Sequence, residues 1–204
     1  QQRFATGDRP RSVALADVDG DGDTDMVVAN EISNDVSVLL GRGDGTFDAQ
    51  QRFGGGLFPW SVMLADLDGD GNLDMVVVNA GFVGFDDDVS VLLGRGDGTF
   101  DAQQRFDAGD GPRSGALADL DGDGDLDMVV ANELFNEVSV LLGRGDGTFD
   151  DRQRFDQGDG PRSVALADVD GDGDPDMVVA NSFSDDVSVL LGRGDGTFDA
   201  QNRF

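Results

Sequence analysis

The sequence predicts an all-β fold, a β-propeller built of four-stranded antiparallel blades, with four repeats in the chain. Three observations predict it. An acidic nonapeptide, Asp17 to Asp25 (DVDGDGDTD), returns at Asp66 (DLDGDGNLD), Asp119 (DLDGDGDLD) and Asp168 (DVDGDGDPD). A glycine-rich heptapeptide, GRGDGTF, begins at Gly41, Gly94, Gly143 and Gly192. Between these anchors lie short β-branched runs bounded by Gly, Asp, Asn and Pro, and no segment carries a helical period of useful length.

The acidic anchors are spaced by 49, 53 and 49 residues and the glycine anchors by 53, 49 and 49. The second copy therefore carries four extra residues between its two anchors, and everything else is in register. Self-similarity at about 50 residues with four short strands per unit marks a propeller blade, because one blade cannot bury its apolar faces without neighbours. The repeats run over about 5-53, 54-106, 107-155 and 156-204 of a single array 1-204, with residues 1-4 as the tail of a preceding repeat-like strand.

In the first copy, Ser12 to Asp17 (SVALAD) is read as the strand that enters the acidic loop and Met26 to Asn30 (MVVAN) as the one that leaves it. Asp35 to Gly41 (DVSVLLG) follows, and Thr46 to Phe53 (TFDAQQRF) closes the unit. The second strand is almost continuously apolar, as expected where both faces of a small sheet are covered. Small residues on the first strands, such as Ala14, Ala16, Ala116, Ala118, Ala165 and Ala167, suit the crowded axis of a radial array. Four repeats leave three arrangements open: a four-bladed ring, an eight-bladed ring from two chains, and an excerpt of a longer array. The chain has no initiating Met, and its opening Gln1-Gln2-Arg3-Phe4 duplicates Gln50 to Phe53, so we expect a processed or excerpted piece.

Each acidic loop offers carboxylates on alternate residues, the donor pattern a hard cation needs, since Ca2+ takes six to eight oxygens in a flexible shell. Positions one, three, five and nine would supply side chains and position seven a backbone carbonyl. The sets are Asp17, Asp19, Asp21, Asp23 and Asp25; Asp66, Asp68, Asp70, Asn72 and Asp74; Asp119, Asp121, Asp123, Asp125 and Asp127; and Asp168, Asp170, Asp172, Asp174 and Asp176. Asn72 fits the carbonyl role. We expect Ca2+ as the cofactor, one ion per repeat. The alternative, an acidic surface turn without metal, carries the cost of like-charge repulsion. An EF-hand is excluded by Val28, Val77, Val130 and Val179 at loop position twelve, where a bidentate Glu is needed, and a calcium β-helix by its much shorter period.

Units reading GPRSVALADVDGDGDPDMVVAN and DVSVLLGRGDGTF resemble the FG-GAP and VCBS repeats, the calcium-loop blades of integrin α-subunit propellers and of many secreted bacterial proteins. The resemblance spans nearly the whole chain. It implies a propeller whose calcium loop joins the first and second strands of each blade, and an extracellular or cell-surface setting. Four repeats are fewer than such propellers usually have.

With 42 acidic against 14 basic residues the net charge is -28, which repels nucleic-acid phosphates and anionic lipid. Nucleic acid is not expected as a partner. Neither is membrane insertion, for no run approaches the roughly 18 apolar residues of a spanning helix, and no signal peptide is present in this stretch. There is no Cys or His, hence no Ser-His or Cys-His nucleophile, and we expect no enzyme. A carboxylate pair for glycoside hydrolysis is the remaining catalytic reading.

The triplet Arg-Gly-Asp occurs in every glycine turn (Arg42 to Asp44, Arg95 to Asp97, Arg144 to Asp146, Arg193 to Asp195), where Asp-Gly favours a hairpin and a receptor-binding role would be incidental. In a meander, the loops after strands one and three share one end, so function is sought at the other. There stand Ile32, Leu134, Phe135 and Phe183, and copy two adds Leu57, Phe58 and Trp60 with Phe82, Val83 and Phe85. An apolar loop face marks a binding surface unless its aromatics fold back as a plug. The expected partner is a protein or a second copy; a glycan stacked on Trp60 is the alternative.

Overall fold

The computed structural model describes residues 2–81 and 87–203. It is all-β. The first blade comprises β1 (Pro10–Ala16), β2 (Asp25–Asn30), β3 (Asp35–Leu39) and β4 (Gln51–Gly54), and the second β5 (Pro59–Ala65), β6 (Asp74–Asn79), β7 (Asp88–Leu92) and β8 (Gln104–Asp107). The third holds β9 (Pro112–Ala118), β10 (Asp127–Asn132), β11 (Glu137–Leu141) and β12 (Gln153–Asp156), and the fourth β13 (Pro161–Ala167), β14 (Asp176–Asn181), β15 (Asp186–Leu190) and β16 (Asn202–Arg203). Every sheet is an antiparallel meander in chain order.

Register follows the repeat. Leu15 faces Met26 and Ala16 faces Asp25, so the acidic loop closes a hairpin whose other end carries a bulge between Pro10 and Ser12. Pro stands first in its strand, where its missing N–H costs no ladder bond. The closing strand is shorter than Thr46 to Phe53: only Gln51–Gly54 pairs with β3, and Gly41 and Phe47 form a single bridge. The cause is local. The Arg42 N–H donates to the Thr46 carbonyl and the Asp48 N–H to the Leu40 carbonyl, so the glycine turn closes on itself and uses residues that would otherwise extend the strand.

First strands stand side by side around the axis: β1 by β5, β5 by β9, β9 by β13. Among the described residues no comparable contact joins β13 back to β1. The core is three stacks between blades. Val27, Ala29, Val36 and Val38 meet Val62, Met75, Val77 and Leu92; the same positions recur between blades three and four and, with Gly115 in place of Val62, between blades two and three. This is why the middle strands lack alternation, for each side chain is covered whichever face it takes.

Phenylalanine edges tie the outer rims. Phe53 meets Phe100, Phe106 meets Phe149 and Phe155 meets Phe198, each edge-to-face at 5.4 Å, and Phe4 meets Phe47 in the same manner. Inside each blade a buried Asn ties two strands at the end away from the acidic loop. In blade one, the Asn30 amide donates to Asp35 Oδ1 and to Ser37 Oγ.

Candidate metal centres and the opposite loop face

Each acidic loop turns because its own carboxylates cap its backbone. Asp17 accepts from the Gly20 N–H at 2.7 Å and from the Gly22 N–H at 2.9 Å, with Gly20 and Gly22 both at positive φ. Asp19 and Asp21 accept from the N–H groups two residues on. The result brings three carboxylates within 4.8 Å of one another: Asp17, Asp19 and Asp25 in the first loop, Asp119, Asp121 and Asp127 in the third, Asp168, Asp170 and Asp176 in the fourth. In the second loop the cluster is Asp66, Asp68 and Asp70.

The position-nine carboxylate does more than close the cluster. Asp25 is fully buried, and it accepts from the Val18 N–H at 2.8 Å and the Gly41 N–H at 2.7 Å. It thus joins the start of the acidic loop to the start of the glycine turn. Asp74, Asp127 and Asp176 repeat the pair of bonds. Spacing alone revealed these aspartates as ligand candidates and concealed the clamp.

Electrostatics of the loops fit a cation. Loss of solvent, and after it the charges of neighbouring aspartates, push the carboxyls of Asp19, Asp121 and Asp170 upward. Asp74 and Asp127 are also raised, by burial first, against the lowering effect of their two backbone donors. All donors in the clusters are carboxylate oxygens, the chemistry of a hard ion rather than of zinc.

Position five differs between the loops. Asp21, Asp123 and Asp172 stand outside the clusters, whereas Asp70 is inside the second. At position seven, Asp23, Asn72, Asp125 and Asp174 lie under the glycine turn: a Cβ at Gly43 would fall 2.5 Å from Asp23 Oδ1, and one at Gly96 would fall 2.2 Å from Asn72 Oδ1. The glycine turn therefore sits on the acidic loop, and a side chain at Gly43 or Gly96 would separate them.

Family models match the FG-GAP-like repeat over residues 17–77, 80–130, 119–179 and 168–204. The chain belongs to the FG-GAP-like repeat family. No curated protein matches it. Among solved structures, BBS1N in complex with ARL6DN is similar at a TM-score of 0.61 and 11% identity, over 96% of this chain and 56% of that one. This FG-GAP-like array thus spans little more than half of the BBS1N chain. The Vibrio cholerae biofilm matrix protein Bap1 gives a TM-score of 0.46 and 20% identity, over 96% of this chain and 39% of that one.

The glycine turns of these FG-GAP-like units share the end of the acidic loops. In each, both charged groups of the Arg-Gly-Asp triplet are engaged within the turn. The Arg42 guanidinium donates to Asp48, and Asp44 accepts from the Thr46 N–H and hydroxyl. The hydroxyl bond from Thr, with the backbone bond behind it, holds the carboxyls of Asp44, Asp97, Asp146 and Asp195 below the usual range.

At the opposite end Ile32, Leu57, Leu134, Phe135 and Phe183 are exposed rather than folded back, and Phe58 is half-buried, its N–H donating to Asn34 Oδ1. Phe82, Val83 and Phe85 lie outside the described residues. Trp60 lies between guanidinium groups: the Cζ atoms of Arg11 and Arg113 each lie 4.2 Å from its ring centroid. These arginines come from β1 and β9, on either side of β5. The ring is thereby flanked by a guanidinium from each neighbouring blade and stays half-buried.

Around Trp60 runs a belt of ion pairs that inspection of single motifs missed. Arg9 and Arg11 pair with Glu31, while Arg113 and Arg162 pair with Glu133, the latter linking blades three and four. The signal was present in the differences between copies. After the strand-opening Pro stand Arg11, Trp60, Arg113 and Arg162, and after the strand-closing Asn stand Glu31, Ala80, Glu133 and Ser182, so Trp replaces Arg where Ala replaces Glu.

Proposed function

We propose that the chain is a noncatalytic, calcium-stabilised interaction module of an extracellular or cell-surface protein, serving adhesion or protein assembly. The observation that carries this reading is the fourfold recurrence of three carboxylates within 4.8 Å at the same hairpin of every blade. Asp17, Asp19 and Asp25, and their counterparts in the other loops, would hold the ion, with Asp21 and the carbonyl of Asp23 as further donors. A bound calcium would supply positive charge to a loop that otherwise concentrates like charge, and would cross-link it.

The partner surface is the variable-loop face, where Ile32, Leu134, Phe135 and Phe183 are exposed beside Leu57. Apolar side chains held on short loops and rimmed by charge favour a protein partner. The BBS1N chain, of similar fold, is seen in complex with ARL6DN, which supports reading such arrays as recognition platforms. Trp60 is half-buried and has two guanidinium groups against its ring, so it offers a sugar less open surface than the exposed loop residues offer a protein.

Calcium titration by calorimetry, paired with melting curves in chelator, tests the reading. About four ions per chain and a chelator-dependent fall in melting temperature are the expected results, since a ligand that binds only the folded state stabilises it by mass action. An unchanged melting curve rejects the metal assignment. A glycan array answered by the native chain but not by Trp60→Ala would reject the protein-partner assignment.

A further inference from the structure

We infer that the seam between blades two and three carries a recognition notch for a carboxylate, and that its occupant is a glutamate side chain on a protein partner. Such a notch deepens the reading of the variable-loop face as the partner surface, on which it rests, by naming the chemistry selected there.

The notch is defined by what one copy lacks. Residues 31, 80, 133 and 182 hold the same place in each blade, fixed by the same backbone bond: the N–H of Glu31, Ala80, Glu133 and Ser182 donates to the carbonyl of Arg9, Phe58, Gly111 and Gly160, at 2.8 to 3.2 Å. In blade three the Glu133 carboxylate bridges two arginines. It accepts from Arg113 Nε of its own blade at 2.7 Å and from Arg162 Nε of the following blade at 2.6 Å. In blade two the equivalent position facing Arg113 is Ala80, which offers no acceptor. The space is open: a cavity of about 200 Å³ is lined by Glu31, Phe58, Trp60, Ala80, Gly81 and Arg113. The seam around it is closed, for the Gly147 N–H reaches the Leu67 carbonyl at the metal-loop end, as Gly98 reaches Val18 in the seam before, and the Gly111 N–H reaches Asp87 near the notch.

Arg113 has donors to spare. It spends Nε on Glu133 and lays its guanidinium 4.2 Å from the Trp60 ring centroid, and among the described residues neither Nη atom has a hydrogen-bond partner. Arg162, by contrast, turns both Nε and Nη2 toward Glu133. A guanidinium already held flat presents a fork that fits a carboxylate and loses little freedom on binding one.

Charge favours the same occupant. In the belt, Arg9, Arg11, Arg113 and Arg162 are paired with only Glu31 and Glu133. Asp87, whose charge Arg113 also feels, is occupied by the Gly111 N–H, and burial pushes its carboxyl upward. The fold itself places a glutamate between guanidinium groups in blade three, so a glutamate from outside fits the counterpart in blade two. Leu57, exposed next to Phe58, gives an apolar neighbour of that glutamate a surface to touch.

Trp60 is the single tryptophan of the chain, so its emission reports on the notch directly. Titrating the full chain with acetyl-Leu-Glu-Leu-amide should change that emission saturably. The Gln counterpart should bind about tenfold more weakly, because a charge-assisted bond is exchanged for a neutral one. Ala80→Glu supplies the carboxylate from within, as Glu133 does in blade three, and should abolish the response while the chain stays folded. No response from the native chain, equal binding of the Gln peptide, or a response that persists in Ala80→Glu overturns the inference. Should Ala80→Glu fail to fold, Ala80→Gln fills the same space, and binding retained there overturns it equally. Phe135→Ser/Phe183→Ser separates the notch from the apolar loops: an unchanged response assigns the peptide to the notch whatever those loops bind, and a response lost there overturns the notch alone.

Discussion

Gly115 stands where a Cβ would fall 2.6 Å from Cε of Met63 across the interface between blades two and three. Elsewhere the same pair of positions is filled the other way, with Ala14 beside the strand of Val62 and Ala116 beside the strand of Val164. Large on one side is balanced by small on the other. Gly115→Val should destabilise the array, and because the obstacle is the end of a flexible side chain the cost lies near the low end of the ~1–3 kcal/mol typical of overpacking. Met63→Ala/Gly115→Val recreates the Ala–Val arrangement of the other interfaces and should recover most of the loss. Urea denaturation of the four members of the cycle measures the coupling.

Asp127 should matter without any metal. Replacing it by Asn keeps the shape but turns one acceptor into a donor that confronts the Leu120 or Gly143 N–H, leaving a buried group unpaired at a cost of about 1–3 kcal/mol. Asp123→Asn, outside the cluster, should leave stability in chelator unchanged. Denaturation of both variants in chelator separates the clamp from the ligand.

Acid should weaken the seam between blades three and four. Burial works against ionisation of Glu133, but hydrogen bonds from Arg113 and Arg162 outweigh it and hold its carboxyl below the ordinary 4.5. A depressed folded-state value means stability that is fully present above the unfolded value and lost as pH falls through the folded one. At the seam between blades two and three Asp107 is held below 3.8 in the same sense, burial being outweighed by Arg152, and that seam weakens likewise. The contribution of Glu133 to unfolding free energy should decline from about pH 4.5 downward, while the raised carboxyls of the acidic loops act in the opposite sense, and Glu133→Gln should be less stable at neutral pH with a shallower acid decline than the native chain. An equally steep acid limb in Glu133→Gln would contradict this assignment.

Trp60→Arg, which makes copy two conform to its neighbours, should nonetheless destabilise. A third guanidinium would stand between Arg11 and Arg113, with Glu31 already shared by Arg9 and Arg11 and no carboxylate at Ala80, exchanging cation–π attraction of about 0.5–1 kcal/mol per pair for repulsion. Adding Ala80→Glu should restore much of the difference. Thermal melts at low and high salt check it, because the repulsive part is screened.

The repeat, the four-strand blade and the placement of acidic loops and glycine turns on one face were legible in the sequence, since each rests on local patterns that recur. Strand ends were less so: the glycine turn's internal bonds, from Arg42 to Thr46 and from Asp48 to Leu40, cut the closing strand to Gln51–Gly54, which no propensity signals. At the loops, spacing picked out the candidate carboxylates, yet it could not say that Asp25 spends both oxygens on backbone N–H groups, one of them sixteen residues away, or that Asp25 rather than Asp21 completes the group of three in the first loop, which follows from turn geometry. The arginine belt was written in compensating changes between copies, visible only when Trp60 and Ala80 are read as one exchange.

The bond from the Gly98 N–H to the Val18 carbonyl runs from each blade to the loop of the one before it, never the reverse. The array consequently has a polarity, and the four loops are not four equal vessels. Those beginning at Asp17, Asp66 and Asp119 each accept a backbone bond from the glycine turn of the following blade, while the one at Asp168 has no such bond among the described residues and its Val169 is open to solvent. If the loops hold calcium as proposed, the three braced ones should release it more slowly than the fourth. A calcium-release trace with one fast and three slow equivalents would record that asymmetry, and a lid placed on blade four would erase it.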